Sequence, residues 1–230
     1  MTDKRRTAVL ISGRGSNMQA LLTAASAGDY PAEIMLVLSN NPEAAGLAWA
    51  ASHGIATHAV DHRPFRGDRA AFDAELQSTL VRHNIELVAL AGFMRLLTAP
   101  FVERWSGRMI NIHPSLLPAF KGLDTHQRAI DAGCRIAGCT VHFVVPEMDA
   151  GPIIAQAATP IAPEDTADVL AARVLQAEHR LYPAALGAVA GGLCRLQGDR
   201  VVWADKANTT LTDGDNNHIL TSPHQIQLKL

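Results

Sequence analysis

Short, continuously apolar segments that alternate with helical segments dominate the first half of this chain. Residues 7–12, 33–39, 55–60, 87–91 and 109–112 are the apolar segments, and residues 44–53 and 68–83 have helical periodicity. Strands that are apolar on both faces are typical of a parallel sheet that helices cover on both sides. The pattern therefore predicts an α/β fold with a mostly parallel twisted sheet and helices on both faces.

The second half of the chain has longer segments. Residues 136–145 and 152–159 are predicted strands, and residues 166–193 form a long Ala- and Leu-rich helix that Pro183 is expected to kink or divide. A short hairpin, residues 195–196 against 201–203, and a polar tail follow. We predict one catalytic domain over residues 1–205 and a tail over residues 206–230 that is partly extended or packed on the domain.

The composition excludes several classes of protein. Among 230 residues, 20 basic and 22 acidic side chains leave a formal net charge of −2, which argues against a nucleic-acid binder. No apolar run approaches the roughly 20 residues of a membrane helix, and no signal peptide is evident. Three cysteines without a CxxC pair indicate reduced thiols rather than disulfides or a zinc site. We expect a cytoplasmic protein without a nucleic-acid or membrane partner.

A glycine-rich turn, GRGSN at residues 13–17, lies between the first predicted strand and helix. It lacks the third glycine of a dinucleotide fingerprint and the lysine of a Walker loop. Two interpretations remain open from the residues alone. Gly13, Gly15, Ser16 and Asn17 could cradle a small phosphate monoester, with Ser16 and Asn17 also capping the helix, or the segment could be a tight capped turn without a ligand.

Asn111 and His113 lie at the carboxyl end of the fifth predicted strand, where open α/β sheets bind ligands. Alternation along the strand places both side chains on one face. An amide donor beside an imidazole suits a reaction with a developing oxyanion and a proton in transit. Asp149, in the turn at residues 146–152, is the candidate carboxylate partner of His113. No His pair with metal-ligand spacing accompanies them, so we predict no metal.

Six segments together resemble the phosphoribosylglycinamide formyltransferase family. They are ISGRGSN at 11–17, LAGFMRLL at 90–97, NIHPSLLP at 111–118, GCTVHF at 138–143, MDAGP at 148–152 and QAEH at 176–179. The resemblance implies a Rossmann-like formyltransferase fold. It also implies transfer of the formyl group of 10-formyltetrahydrofolate to the amine of glycinamide ribonucleotide in purine (IMP) biosynthesis, by a monomer or homodimer.

The resemblance also assigns residue roles. Asn111 and protonated His113 would stabilise the oxyanion of a tetrahedral intermediate. Asp149 would favour the protonated form of the histidine and help to pass the proton to the leaving N10 of the folate. The implied ligand contacts are Gly15, Ser16 and Asn17 for the substrate phosphate, Glu178 for the ribonucleotide, and Arg69, Met94, Arg95, Leu96, Leu97, Asn111 and Val144 for the folate.

Three positions depart from the family pattern. Arg14 stands between the two glycines, where the family often has a smaller polar residue. Ala150 replaces the first glycine of an Asp-Gly-Gly-Pro turn, and Pro146 stiffens the approach to Asp149. Ala150 and Pro146 restrict the geometry of the predicted folate loop more than its chemistry, whereas Arg14 could add charge to the phosphate site or point outward.

Other functions predict other features. Formyltransferases that act on methionyl-tRNA or sugar nucleotides would carry a further domain, and the tRNA enzyme a basic surface. A formyltetrahydrofolate hydrolase, or another hydroxymethyl- or formyltransferase of the superfamily, would share the Asn-His-Asp residues, and the hydrolase would need an additional amino-terminal domain. A non-catalytic nucleotide-binding module predicts no role for Asn111, His113 or Asp149.

Overall fold

The computed structural model describes residues 4–204 and a two-residue strand at 219–220. The chain divides into two compact units. The first unit runs to Asn111 and includes Val144–Pro146, and the second comprises Ile112–Phe143 and the chain from Glu147 onward. The first boundary falls inside a strand, because Asn111 and Ile112 are neighbours within Met109–His113.

The first unit is built on a parallel sheet with the strand order β5-β4-β1-β2-β3. Its strands are β1 (Arg5–Ile11), β2 (Ala32–Ser39), β3 (Ala56–Ala59), β4 (Leu87–Leu90) and the start of β5 (Met109–His113). Its helices are α1 (Ser16–Ala25), α2 (Ala45–Ser52), α3 (Arg69–Arg82) and α4 (Ala99–Arg104), with a 3₁₀ turn at Arg63–Phe65.

The core of this unit explains why the strands are continuously apolar. All four residues of β4 are buried, and so are the last five of β1. Leu36 and Leu38 of β2 pack in one cluster with Phe72, Leu76 and other side chains of the helices. Because parallel strands are covered on both faces, a polar side chain on either face would lose its contact with water.

The second unit contains an antiparallel pair of strands and a long helix. Its elements are α5 (Thr125–Asp131), β6 (Ile136–Phe143), β7 (Ile153–Pro160), α6 (Ala167–Ala190), β8 (Cys194–Gln197) and β9 (Arg200–Trp203), with β10 (Ile219–Leu220) antiparallel to β7. Gly138 lets β6 and β7 approach, since a Cβ there would clash with the carbonyl oxygen of Ala157. β8 and β9 form the predicted hairpin.

The predicted α/β fold with a mostly parallel sheet is therefore confirmed. Pro183 was predicted to kink or divide the long helix. The division is wrong, because α6 continues through the proline. Buried Leu181, Tyr182, Ala185 and Leu186 flank the proline, so packing on both sides holds the helix together. Helix α5 was not predicted. The single catalytic domain over residues 1–205 stays a prediction, and the tail lies outside the described residues except for β10.

No helix in the described residues has both the length and the hydropathy needed to cross a membrane.

Candidate active site

The glycine-rich turn joins β1 to α1 in the first unit. Gly15 occupies the position before the helix with φ 73°, in the left-handed region, and no side chain caps the helix. The prediction that Ser16 and Asn17 act as caps is therefore wrong: they are the first two residues of α1. Glycine adopts this conformation without strain, and the backbone N–H groups and dipole at the amino end of a helix generally favour an anion.

Helix α2 sets the position of this turn. The backbone N–H of Gly46 donates to the carbonyl oxygen of Gly13 at 3.1 Å. A Cβ at Gly46 would lie 3.1 Å from the carbonyl oxygens of both Gly13 and Arg14, and 2.5 Å from Cδ1 of Ile11. Only glycine therefore allows α2 to approach the turn this closely. Arg14 itself is exposed.

The predicted folate residues of the first unit fall into two groups. Met94 and Leu96 are 67% and 60% exposed, and Arg95 is exposed as well. Leu97 and Val144 instead pack partly against the hydrophobic core of the unit. Arg69 is an exposed first residue of α3. Three side chains of the segment at 94–97 are thus presented outward, whereas Leu97 anchors the segment.

The structure brings His113 and Asp149 together in the second unit. Nδ1 of His113 lies 3.5 Å from Oδ2 of Asp149, and the two side chains are 7% and 12% exposed. Asp149 has a φ of 49°, and the same Oδ2 accepts the N–H of Gly122 at 2.9 Å. Nε2 of His113 lies 3.0 Å from the carbonyl oxygen of Phe120. Both ring nitrogens of His113 therefore face an oxygen that can accept a hydrogen bond.

A second histidine, His142 on β6, lies close to the same carboxylate. Its Nε2 is 4.0 Å from Oδ1 of Asp149, and its Nδ1 is 2.9 Å from the carbonyl oxygen of Phe143. Burial lowers the pKa of His142, more than the nearby Asp149 carboxylate raises it. A neutral His142 that donates from Nδ1 keeps a lone pair on Nε2, so His113 is the imidazole that pairs with Asp149.

The loop after β5 is held by two side chains that the sequence did not single out. The hydroxyl of Thr140 accepts the N–H of Leu117 at 3.0 Å and donates to the carbonyl oxygen of Ser115 at 2.7 Å. Nε2 of Gln156 donates to the carbonyl oxygen of Leu117 at 2.9 Å. Thr140 and Gln156 lie on neighbouring strands, so β6 and β7 together fix the chain that follows His113. A polar residue inside an apolar strand is the signal that could have identified Thr140.

Glu178 lies on the buried face of α6 and is not a solvated helix charge. Burial raises the pKa of the Cys139 thiol, and the carboxylate of Glu178 raises it further. Burial also raises the pKa of Cys194, to about 12. A buried carboxylate is a candidate ligand contact.

Asn111 precedes His113 by two residues on β5. That spacing gives two side chains of one strand the same face. Among the described residues, no group of three or more His, Cys, Asp or Glu side chains could hold a metal ion. Asn111, His113 and Asp149 offer amide, imidazole and carboxylate groups.

Comparison with known proteins identifies relatives over most of the chain. The family model described as "Formyl transferase" matches residues 5–186. The phosphoribosylglycinamide formyltransferase of Escherichia coli K12 is 41% identical over 197 residues, which is 86% of this chain and 92% of that protein. A crystal structure of phosphoribosylglycinamide formyltransferase from Brucella melitensis has 51% identity and a TM-score of 0.79, covering 83% of this chain and 97% of that one.

A larger protein also contains a similar region. The trifunctional purine biosynthetic protein adenosine-3 of Bos taurus is 47% identical over 201 residues, which is 87% of this chain but 20% of that protein. The chain thus spans about a fifth of the length of this relative. The match over residues 5–186 and the identities above confirm the predicted resemblance: this chain belongs to the formyl transferase family.

Proposed function

We propose that this chain transfers the formyl group of 10-formyltetrahydrofolate to the amine of glycinamide ribonucleotide, in the synthesis of purines (IMP). The observation that carries the proposal is the nearly buried pair of His113 and Asp149, 3.5 Å apart at the end of β5, in a chain of this family. The names of its bacterial relatives, which align over nearly their full length, support the choice of substrate.

The proposed reaction is an acyl transfer through a tetrahedral intermediate. The amine nitrogen attacks the formyl carbon, a C–N bond forms, and the carbonyl oxygen becomes an oxyanion. The side-chain amide of Asn111 would donate a hydrogen bond to that oxygen. The Nε2–H of a protonated His113 would donate a second one, by exchanging the carbonyl oxygen of Phe120, 3.0 Å away, for the substrate oxygen. The intermediate then breaks its bond to N10, which leaves with the proton that the amine gives up.

Asp149 would act through His113. Its carboxylate lies 3.5 Å from Nδ1, so it would keep the imidazole ring oriented. The N–H of Gly122 holds the carboxylate oxygen in place from the other side. His113 can then give a proton to the leaving nitrogen and regain one from the attacking amine, so that no net proton is consumed.

The two substrates are anions, and their proposed binding groups are already described. The phosphate of the ribonucleotide would bind at Gly15, Ser16 and Asn17, where the amino end of α1 carries no side-chain cap. Buried Glu178 would accept hydrogen bonds from the ribonucleotide. The folate would bind against Arg69, Met94, Arg95, Leu96, Leu97, Asn111 and Val144. No metal takes part in the proposed reaction, and a cytoplasmic location, a monomer or homodimer and the absence of nucleic-acid or membrane partners stay predictions.

An assay with purified protein tests the proposal. Wild-type chain should form formylglycinamide ribonucleotide from the two substrates, and His113→Ala and Asp149→Asn should lower kcat about 10²- to 10⁴-fold, the range of general acid–base contributions. His58→Ala, which changes an exposed histidine on β3, is the matched control and should retain wild-type activity. Each variant is also checked by thermal unfolding.

Two results would contradict the proposal. Release of formate from the folate without a requirement for the ribonucleotide would indicate a formyltetrahydrofolate hydrolase. Folded His113→Ala and Asp149→Asn chains with wild-type turnover would show that the pair does not carry the chemistry.

A further inference from the structure

The segment at residues 92–98, which contains the proposed folate residues Met94 to Leu97, is held at its beginning by Ser12. The backbone N–H of Met94 donates to the hydroxyl oxygen of Ser12 at 2.7 Å. The hydroxyl of Ser12 in turn donates to Oδ1 of Asn40, and the backbone N–H of Ser12 donates to the carbonyl oxygen of Gly92 at 3.1 Å. Ser12, which directly follows β1, thus makes both a backbone and a side-chain hydrogen bond to the segment.

The end of the same segment is held by Asp73 on α3. Oδ2 of Asp73 accepts two hydrogen bonds from Thr98, from the backbone N–H at 2.7 Å and from the hydroxyl at 2.6 Å. Asp73 is 3% exposed and lies one helical turn after Arg69, whose charge it feels. Arg69 and the end of the segment are therefore tied to the same turn of α3.

Between Ser12 and Asp73, which hold its two ends, the middle of the segment is exposed. Phe93 and Leu97 pack against the hydrophobic core, whereas Met94, Arg95 and Leu96 are exposed. Within residues 4–204, no backbone N–H of Arg95, Leu96 or Leu97 makes a hydrogen bond. A backbone with unused donors, fixed at both ends, can read the donor and acceptor pattern of a planar heterocycle without first having to be ordered.

Burying the carboxyl group of Asp73 is unfavourable, so packing alone does not explain this residue. Burial raises the pKa of its carboxyl group, and its Oδ1 has no hydrogen-bond partner among the described residues. A well-packed apolar side chain is often as stable as a buried charge, so a carboxylate here is explained better by the geometry that it imposes on Thr98.

We propose that Ser12 and Asp73 are positioning residues that hold the backbone of residues 92–98 in the conformation that binds the folate cosubstrate. The inference rests on the proposed function, because it assigns the segment to the folate. Neither side chain is proposed to touch the reacting atoms. Their effect is on the affinity for one of the two substrates.

The test separates affinity for the folate from turnover. Ser12→Ala removes the acceptor for Met94, and Thr98→Val removes one of the two donors to Asp73 while keeping the shape of the side chain. Loss of one such hydrogen bond should weaken folate binding about 3- to 30-fold. We expect this rise in KM for 10-formyltetrahydrofolate and in the Kd of an unreactive folate analogue measured by calorimetry. The KM for glycinamide ribonucleotide and kcat should stay within about twofold, because the anchors act on the folate segment alone.

Two further variants control for lost stability. Thr98→Ser keeps both donors and should retain wild-type folate affinity. Asp165→Asn weakens the ion pair with Arg173, where the carboxylate and guanidinium are 2.7 Å apart, so it should lower stability in the second unit without changing folate affinity. The positioning role is supported if Ser12→Ala and Thr98→Val raise the folate Kd, whereas Thr98→Ser and Asp165→Asn leave it at the wild-type value.

Unchanged analogue affinity in folded Ser12→Ala and Thr98→Val would overturn the positioning role and leave the proposed function intact. An equal loss of affinity for both substrates would also overturn it, because the effect would then not be specific to the segment. A wild-type chain that binds neither the folate analogue nor glycinamide ribonucleotide would overturn both proposals.

Discussion

Replacing Gly46 with alanine tests whether helix α2 determines the position of the turn at residues 13–17, the proposed phosphate site. The added Cβ would lie 3.1 Å from the carbonyl oxygens of Gly13 and Arg14 and 2.5 Å from Cδ1 of Ile11. The methyl end of Ile11 can turn aside, whereas the two carbonyls belong to the turn and can yield only if the turn moves. The hydrogen bond from the N–H of Gly46 to Gly13 would be strained by the same movement.

The expected loss of affinity depends on whether the strain is relieved in the free chain or in the ligand-bound chain. Overpacking of this kind costs about 1–3 kcal/mol. In the free chain the turn relaxes outward, and alanine also favours the helix by about 0.8–1.0 kcal/mol over glycine, so stability should change little. The proposed phosphate site requires the original conformation of the turn. Most of the strain should therefore weaken binding of the ribonucleotide. We expect KM for glycinamide ribonucleotide to rise about tenfold, since 1.4 kcal/mol corresponds to a factor of ten.

Steady-state kinetics with each substrate varied in turn measures this effect, together with thermal unfolding. KM for 10-formyltetrahydrofolate should stay within about twofold of the wild-type value. Gly28→Ala is the matched control, because a Cβ at Gly28 meets no atom within 4 Å, and it should leave both KM values unchanged. A folded Gly46→Ala chain with wild-type KM for the ribonucleotide would refute the reasoning, since α2 would then not determine the position of the turn.

Three further predictions follow from single contacts. Gly151→Ala should lower kcat at least tenfold, because its Cβ would clash with the carbonyl oxygen of Phe143 and displace the turn that carries Asp149, the proposed partner of His113; wild-type kcat would contradict this. Thr140→Val should lower the free energy of unfolding by about 1–3 kcal/mol in urea titrations, because the N–H of Leu117 loses its buried acceptor, whereas Thr140→Ser should be near wild type. Burial lowers the pKa of His179, so the unfolded chain takes up a proton that the folded chain refuses, and stability should fall as the pH drops below about 6.5; His179→Gln should reduce that fall between pH 7.5 and 5.5, and an unchanged slope would count against it.

The parallel sheet was predictable because short stretches of sequence are enough to identify its strands. Strands buried on both faces must be apolar throughout, and β1 and β4 are such segments. The pairing of His113 with Asp149 was also predicted, from two short motifs that resemble one family. Their separation of 3.5 Å could not have been derived from the periodicity of the sequence.

Other features depend on contacts between distant parts of the chain, and the sequence does not reveal them. Asp73 lies within a helical segment, where a charged side chain usually faces water, and only the fold brings it into hydrogen-bond contact with Thr98. The cap of α1 was mispredicted because serine and asparagine are good capping residues, whereas the backbone of Gly15 already occupies the capping position. Pro183 was expected to interrupt α6, but tertiary packing outweighs a local preference.

The raised thiol pKa values have a practical consequence. Because thiolates, not thiols, react with alkylating reagents and disulfides, buried Cys139 and Cys194 should be slow to react in the folded chain. Cys134 is only half buried and should label first. The chain therefore carries its own reporters of local opening: reaction at Cys139 follows exposure of β6, and reaction at Cys194 follows exposure of β8, so the rate of labelling at each can be read as the frequency with which that strand opens.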